Sequence, residues 1–187
     1  MVTPTQLVDD ETKAGKKFIR NVENLKTELG IKPVTKDITK QVKKLTQEQI
    51  KNNVFLTSFL NKYSNDLFKN LELKNVTIGT FGRKSGYVNY PIEENYFRFV
   101  IHLGSPEIYY IDSNQVRNKQ LPMLNGYGFL ISPQESANTY FTVYSNTLRI
   151  IDDEKVRPII SKIRPKNYSR TVLVYDFAFN IPEEEIE

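Results

Sequence analysis

The 187-residue chain has no cysteine, no tryptophan and a single histidine, His102. Without thiols it has no disulfide framework, no thiolate metal site and no cysteine nucleophile. With one imidazole it cannot build a metal centre on two or more histidines of its own. A histidine-dependent triad would have to use His102, and no Gly-x-Ser-x-Gly elbow accompanies it. Long hydrophobic runs are missing too, so no segment matches the apolar length that spans a bilayer. The first residues, Met-Val-Thr-Pro-Thr-Gln, lack the basic-then-apolar order of a secretory signal.

What is present is the composition of a globular chain, 39% hydrophobic and 26% charged. Aromatic residues make up 12%, all of them Phe and Tyr, which favours a β-dominated core. Net charge is +4, unevenly spread. Residues 1–74 hold 14 Lys and Arg against 9 Asp and Glu, while the remainder holds 12 against 13. The basic character therefore belongs to the N-terminal segment.

After an irregular tail, Ala14, Phe18, Val22, Leu25 and Leu29 recur at helical spacing. Asp10 is the expected N-cap and Gly30 the residue that ends the helix. The apolar stripe is narrow, so this helix needs a partner surface. That surface is either its own domain or a neighbouring subunit. A short helix is expected around Ile38, Val42 and Leu45. Thr46-Gln47-Glu48-Gln49 fits a capping box that opens a helix running to about Asn70, with Phe55, Phe59, Tyr63 and Leu67 facing the core.

From Leu71 the pattern turns to strands. Tyr96 to Leu103 is almost wholly aromatic or β-branched, and Gly104-Ser105-Pro106-Glu107 supplies turn chemistry before Ile108 to Ile111, which predicts a central hairpin. Further strands are expected at 76–81, 87–90, 127–131, 139–144, 147–151, 156–163 and 170–179. The fold class that follows is α+β: N-terminal helices, then a mainly antiparallel β-sandwich or jelly roll. The corresponding segments are a tail and helical arm (1–33), a helical segment packed on the sheet (34–74), the β-sandwich (75–181) and an acidic tail (182–187).

Individual residues add little chemistry. Gly79-Thr80-Phe81-Gly82-Arg83-Lys84-Ser85 does not have phosphate-loop spacing and reads as a basic hairpin tip, with Arg83 and Lys84 projecting together. His102, set in an apolar strand, reads as a neutral core residue with one satisfied nitrogen. Asp152, Asp153 and Glu154 read as a solvated turn. Tyr109, Tyr110, Tyr140 and Tyr144 read as cross-strand aromatic pairs.

Three stretches resemble the jelly-roll core of the Fe(II)/2-oxoglutarate oxygenases, especially the branch similar to aspartyl/asparaginyl β-hydroxylases. They are Tyr96 to Leu103 with its Arg98 and His102, Leu124 to Leu130, and Asn167 to Asp176 with Arg170. In that family two histidines and usually a carboxylate hold iron, and an arginine near the end binds the 2-oxoglutarate carboxylate. The resemblance therefore implies Arg170 as the carboxylate ligand and His102 as a metal ligand, while the distal histidine expected within 159–164 is missing.

These observations lead to the expectation of a non-enzymatic structural or assembly component, such as part of a viral or phage particle. Its partners would be other protein subunits, in a homo-oligomer or larger assembly, contacted through Phe18, Val22, Leu25, Arg83 and Lys84. No catalytic residue, metal or cofactor is assigned on this reading, and a cytoplasmic or virion setting without membrane contact is expected. The alternative is an oxygenase-like enzyme with an atypical or degenerate metal site, using Arg170 and His102. A third reading is nucleic-acid binding through the basic N-terminal segment.

Overall fold

A computed structural model describes residues 4–58, 60, 71–83, 87–88, 96–111, 119–131, 141–142 and 166–179. Helix α1 (Lys13–Glu28) starts where the Thr12 hydroxyl accepts the Gly15 N–H at 3.0 Å. Thr12, rather than the expected Asp10, is therefore the N-cap. At the other end Gly30 adopts φ 77°, its N–H bonds to the Thr27 carbonyl, and the Ile31 N–H bonds to the Lys26 carbonyl. This left-handed stop satisfies carbonyls that a helix end otherwise leaves bare. The buried face is Gly15, Phe18, Val22 and Leu25, while Ala14 is exposed. Gly15 takes the apolar position because a Cβ there would meet the Asp9 carbonyl oxygen at 1.7 Å.

The main sheet has six antiparallel strands. They are β1 (Thr5–Gln6), β2 (Lys40–Lys44), β3 (Leu71–Gly82), β5 (Phe97–Gly104), β8 (Tyr127–Ile131) and β10 (Ser169–Phe179), in the spatial order β1-β8-β5-β10-β3-β2. Two-stranded sheets pair β6 (Glu107–Ile111) with β7 (Lys119–Met123), and β4 (Tyr87–Val88) with β9 (Phe141–Thr142). Side chains alternate across the main sheet. Ile78, Ile101, Leu173 and Tyr175 face α1 and form one core with Phe18, Val22 and Leu25. Val100, Phe129, Val172 and Val174 face the other way and form a second core with Tyr109 of β6 and Leu121 and Met123 of β7. The result is the mainly antiparallel α+β sandwich expected from the sequence.

Several expectations require correction. β5 and β6 are not a hairpin: β5 lies between β8 and β10, whereas β6 pairs with β7. Gly104 to Pro106 instead carries the chain from one sheet to the other. Gly104 has φ 100°, and a Cβ on it would stand 2.5 Å from the Ser169 carbonyl oxygen. The short helix expected near Val42 is strand β2, an edge held by β3. Tertiary pairing overrides a helical spacing supported by only three apolar residues. The capping box is present, with Thr46 and Gln49 exchanging bonds at 2.8 and 3.2 Å. However, its helix α2 (Gln47–Asn52) ends at Asn53, and α3 (Phe55–Ser58) follows separately. Phe55 is half-buried edge-on against Phe18, with ring centroids 5.8 Å apart. Phe59, Tyr63 and Leu67 lie outside the described residues, as do the strands expected at 147–151 and 156–163. Strands β1 and β7 were not foreseen; Pro122 disguises β7, where it faces Ile108 in a sheet of only two strands.

The helical arm also needs correction. Phe18, Val22 and Leu25 are buried in the chain's own core, so the partner surface for the stripe is the main sheet of the same chain. Among the described residues no helix is long and apolar enough to cross a membrane.

Candidate functional site

The second core, between the main sheet and the β6–β7 pair, holds a chain of buried polar groups. On β5 the residues sharing the face of Val100 are Arg98 and His102; on β10 those sharing the face of Val172 and Val174 are Arg170 and Asp176. Register places Arg98 directly opposite Asp176, His102 opposite Val172, and Arg170 opposite Gly104. All four polar side chains are buried.

At one end Arg98 holds Asp176 in a two-point ion pair, Nε to Oδ1 at 2.7 Å and Nη2 to Oδ2 at 3.1 Å. A fork-to-carboxylate match of this kind offsets part of the large cost of burying two charges. At the other end Arg170, His102 and Tyr109 meet. The Ser105 carbonyl, 2.8 Å from His102 Nε2, can only accept, so Nε2 carries the ring proton. Nδ1 is then an acceptor, and the Tyr109 hydroxyl donates to it at 2.7 Å. The same phenolic oxygen accepts an N–H from Arg170 Nη1 at 3.0 Å. The donors run in one direction, from Arg170 through Tyr109 and His102 to the Ser105 carbonyl.

Electrostatics agree with this assignment. Burial, and after it the nearby Arg170 charge, lowers the His102 pKa to about 3, against the opposing bond to Ser105. The imidazole is therefore neutral across the ordinary pH range. Burial likewise raises Tyr109 to about 12, although Arg170 pulls it the other way. The guanidinium of Arg170 also lies over the Phe81 ring, 4.3 Å from its centroid, and 5.3 Å from that of Tyr109. Such cation–π contact helps hold a buried cation.

The structure thus brings His102 and Arg170 together through Tyr109, which the sequence suggested only as one of several paired aromatics. His102 has two satisfied nitrogens rather than one. Tyr109 packs edge-on against both His102 and Phe129, but these contacts run between two sheets rather than across paired strands, where its register partner is Leu121. Arg83 stands at the end of β3 and lines a cleft on the other side of the sheet. Lys84, Tyr140, Tyr144, Asp152, Asp153 and Glu154 lie outside the described residues. Sequence reasoning missed the Arg98–Asp176 pair. The available signal was parity: Arg98 and His102, like Arg170 and Asp176, occupy same-face positions in otherwise apolar strands.

An iron does not fit His102 as it stands. Both ring nitrogens are engaged, and a metal would have to displace either Tyr109 or Ser105. Among the described residues no group of three or more His, Cys, Asp and Glu side chains is placed to hold a metal ion.

No protein-family model matches the chain, and no curated protein matches it. Solved structures do. A 2OG-Fe(II) oxygenase family oxidoreductase from Burkholderia pseudomallei aligns over 86% of this chain and 78% of its own, with a TM-score of 0.56 and 14% identity. The viral collagen prolyl hydroxylase of Paramecium bursaria Chlorella virus-1, in complex with 2OG, aligns over 97% and 96%, with a TM-score of 0.55 and 7% identity. A prolyl-4-hydroxylase from Pseudomonas putida aligns over 95% and 92%, with a TM-score of 0.52 and 11% identity. These likenesses correct the expectation of a non-enzymatic structural or assembly component in a virion, because these three folds, which align over 86–97% of the chain, are those of oxygenases. The helix expected to dock on neighbours is moreover buried in its own chain. The fold of this chain is similar to the jelly-roll core of these 2OG-Fe(II) oxygenase structures.

Proposed function

We propose that the chain is an Fe(II)/2-oxoglutarate oxygenase-like enzyme with an atypical, degenerate metal site. On this reading Arg170 and Tyr109 receive the carboxylate of a 2-oxo acid, and His102 is a hydrogen-bonding link rather than a metal ligand. The observation that carries it is the buried chain Arg170–Tyr109–His102–Ser105 on the inner face of β10 and β5. In the resemblance carried by Asn167 to Asp176, Arg170 matches the carboxylate-binding arginine of the oxygenase family. A planar guanidinium suits such a group because its parallel N–H donors match two carboxylate oxygens. Tyr109 O–H, committed to His102 at rest, can turn its proton toward an incoming carboxylate while its ring stays locked by Phe129.

Iron, where an oxygenase holds it, supplies the activation of oxygen. The described residues do not form that site, and the role proposed for Arg170 and Tyr109 is recognition of the 2-oxo acid. Calorimetric titration of the purified protein with 2-oxoglutarate tests it. Binding is expected without added metal, weakened about tenfold or more by Arg170→Lys, which keeps the charge but loses the fork, and weakened less by Tyr109→Phe. No binding to a folded protein overturns the reading. Iron-dependent consumption of 2-oxoglutarate that His102→Ala abolishes would reveal a histidine-held iron and overturn the atypical site.

A further inference from the structure

A concavity lies on the opposite side of the main sheet from the Arg170–Tyr109 group, where α1, the segment after it and the start of β10 converge. Its volume is about 920 Å³, within the range of small-molecule sites. Thr80 and Ser169 belong to the face of the sheet that carries α1, whereas Arg170 belongs to the other, so the sheet separates this cleft from the Arg170–Tyr109 group.

Charge is the cleft's main property. Among the described residues Lys26, Lys32, Lys36, Arg83 and Lys166 line it, against the single carboxylate of Glu23. Glu23 is occupied by Lys26 at 2.7 Å, and Lys26 also bonds the Thr171 hydroxyl at 3.1 Å. The Thr27 and Lys26 carbonyls near the end of α1, which would repel an anion, are covered by the Gly30 and Ile31 N–H groups. An independent observation comes from the floor. Thr80 is only 3% exposed, lines the cleft, and its hydroxyl has no hydrogen-bond partner among the described residues. A buried hydroxyl left this way is costly, and a ligand oxygen would satisfy it.

The geometry points to a binding site for a polyphosphorylated small molecule in this cleft. Several lysines, each a compact point charge with rotatable donors, suit phosphate oxygens arriving from different directions, while Arg83 offers a fork. Ile31 and Val34 supply an apolar wall for an organic moiety. The only aromatic residue lining the cleft among those described is Tyr168, itself buried, so no exposed ring is offered for stacking bases. Single-stranded nucleic acids rely on such rings, which favours a small phosphorylated molecule over an oligonucleotide.

Fluorescence or calorimetric titration with inorganic triphosphate and with ATP tests the site, with 2-oxoglutarate and a short single-stranded oligonucleotide as competitors. Saturable binding of a phosphate probe is expected, falling steeply with salt. Lys36→Glu combined with Lys166→Glu should weaken it about tenfold or more, both positions being exposed and their replacement harmless to the thermal melt. Thr80→Val, which keeps shape and removes only the hydroxyl, should weaken binding severalfold without changing its salt dependence. Arg170→Lys should leave it unchanged, which separates this site from the 2-oxo acid site. The inference fails if neither phosphate probe saturates, if the double charge reversal has no effect, or if the oligonucleotide binds and the small probes do not.

Discussion

The two faces of the main sheet solve the same packing problem by opposite means. Toward α1, β3, β5 and β10 present mostly apolar side chains, and that core closes chiefly by contact, with the Lys26–Thr171 hydrogen bond at its margin. Toward β6 and β7, the same strands interleave valines with Arg98, His102, Arg170 and Asp176, so that face closes through hydrogen bonds and charge as well. Strand β10 belongs to both faces, with Leu173 and Tyr175 on one and Val172 and Val174 on the other. An apolar face tolerates loss gradually, because each missing contact costs in proportion to its size. A buried polar chain does not, because removing one partner strands the next.

The sharpest break in that contrast should come at the ion pair. Asp176→Ala leaves Arg98 buried without its carboxylate and should destabilise the fold by about 3–5 kcal/mol in denaturant melts. Replacing both partners together, Arg98→Met with Asp176→Leu, should restore much of that loss, since apolar groups of similar volume often substitute for a buried pair at little cost. A double variant as unstable as Asp176→Ala would show that the inner face depends on charge itself rather than on matched polarity.

On the outer face Leu25→Ala, at a position only 1% exposed, should cost about 2–5 kcal/mol. Its effect should be independent of pH, because no titrating group is involved. Were the melt unchanged while self-association fell, α1 would be an interface after all.

The inner face should instead carry a pH signature. Folded His102 has its pKa lowered from the ordinary 6.5 to about 3, so the unfolded chain takes up a proton that the folded chain refuses. The stability this contributes is complete above pH 6.5 and is lost as pH falls toward 3, at about 1.4 kcal/mol per unit. Melts between those limits should show this slope, and His102→Gln should flatten it. The smallest expected effect lies at an exposed helix start. Thr46→Ala removes the capping box of α2 and should cost about 1 kcal/mol.

Architecture was more legible in the sequence than the site was. The aromatic and β-branched run of β5, the α1 stripe and the Thr46 box each declared their element because local chemistry and final structure agree. The failures arose where a distant strand decides the outcome. Nothing local distinguishes Gly104 to Pro106 as a crossing between sheets from the same residues as a hairpin turn; the difference lies in the contact with Ser169. Val42 has helical spacing to its neighbours, but β3 offers it a ladder. The site was half legible: His102 and Arg170 stand out as polar residues in apolar strands, but their link, Tyr109, looks like any other strand aromatic until β6 is folded over β5.

Strand β2 has a consequence for the chain as one molecule among many. As an outer strand among the described residues it has one side not paired within the main sheet, a template on which a second sheet could grow. Its sequence is Lys-Gln-Val-Lys-Lys, and all three lysines are exposed. A second copy laid antiparallel and centred on Val42 would set Lys40 against Lys44 on both sides of the join, like charges facing at the spacing of paired strands. The strand thus acts as a gatekeeper against fibrous stacking, and neutralising those lysines would turn a soluble edge into an adhesive one.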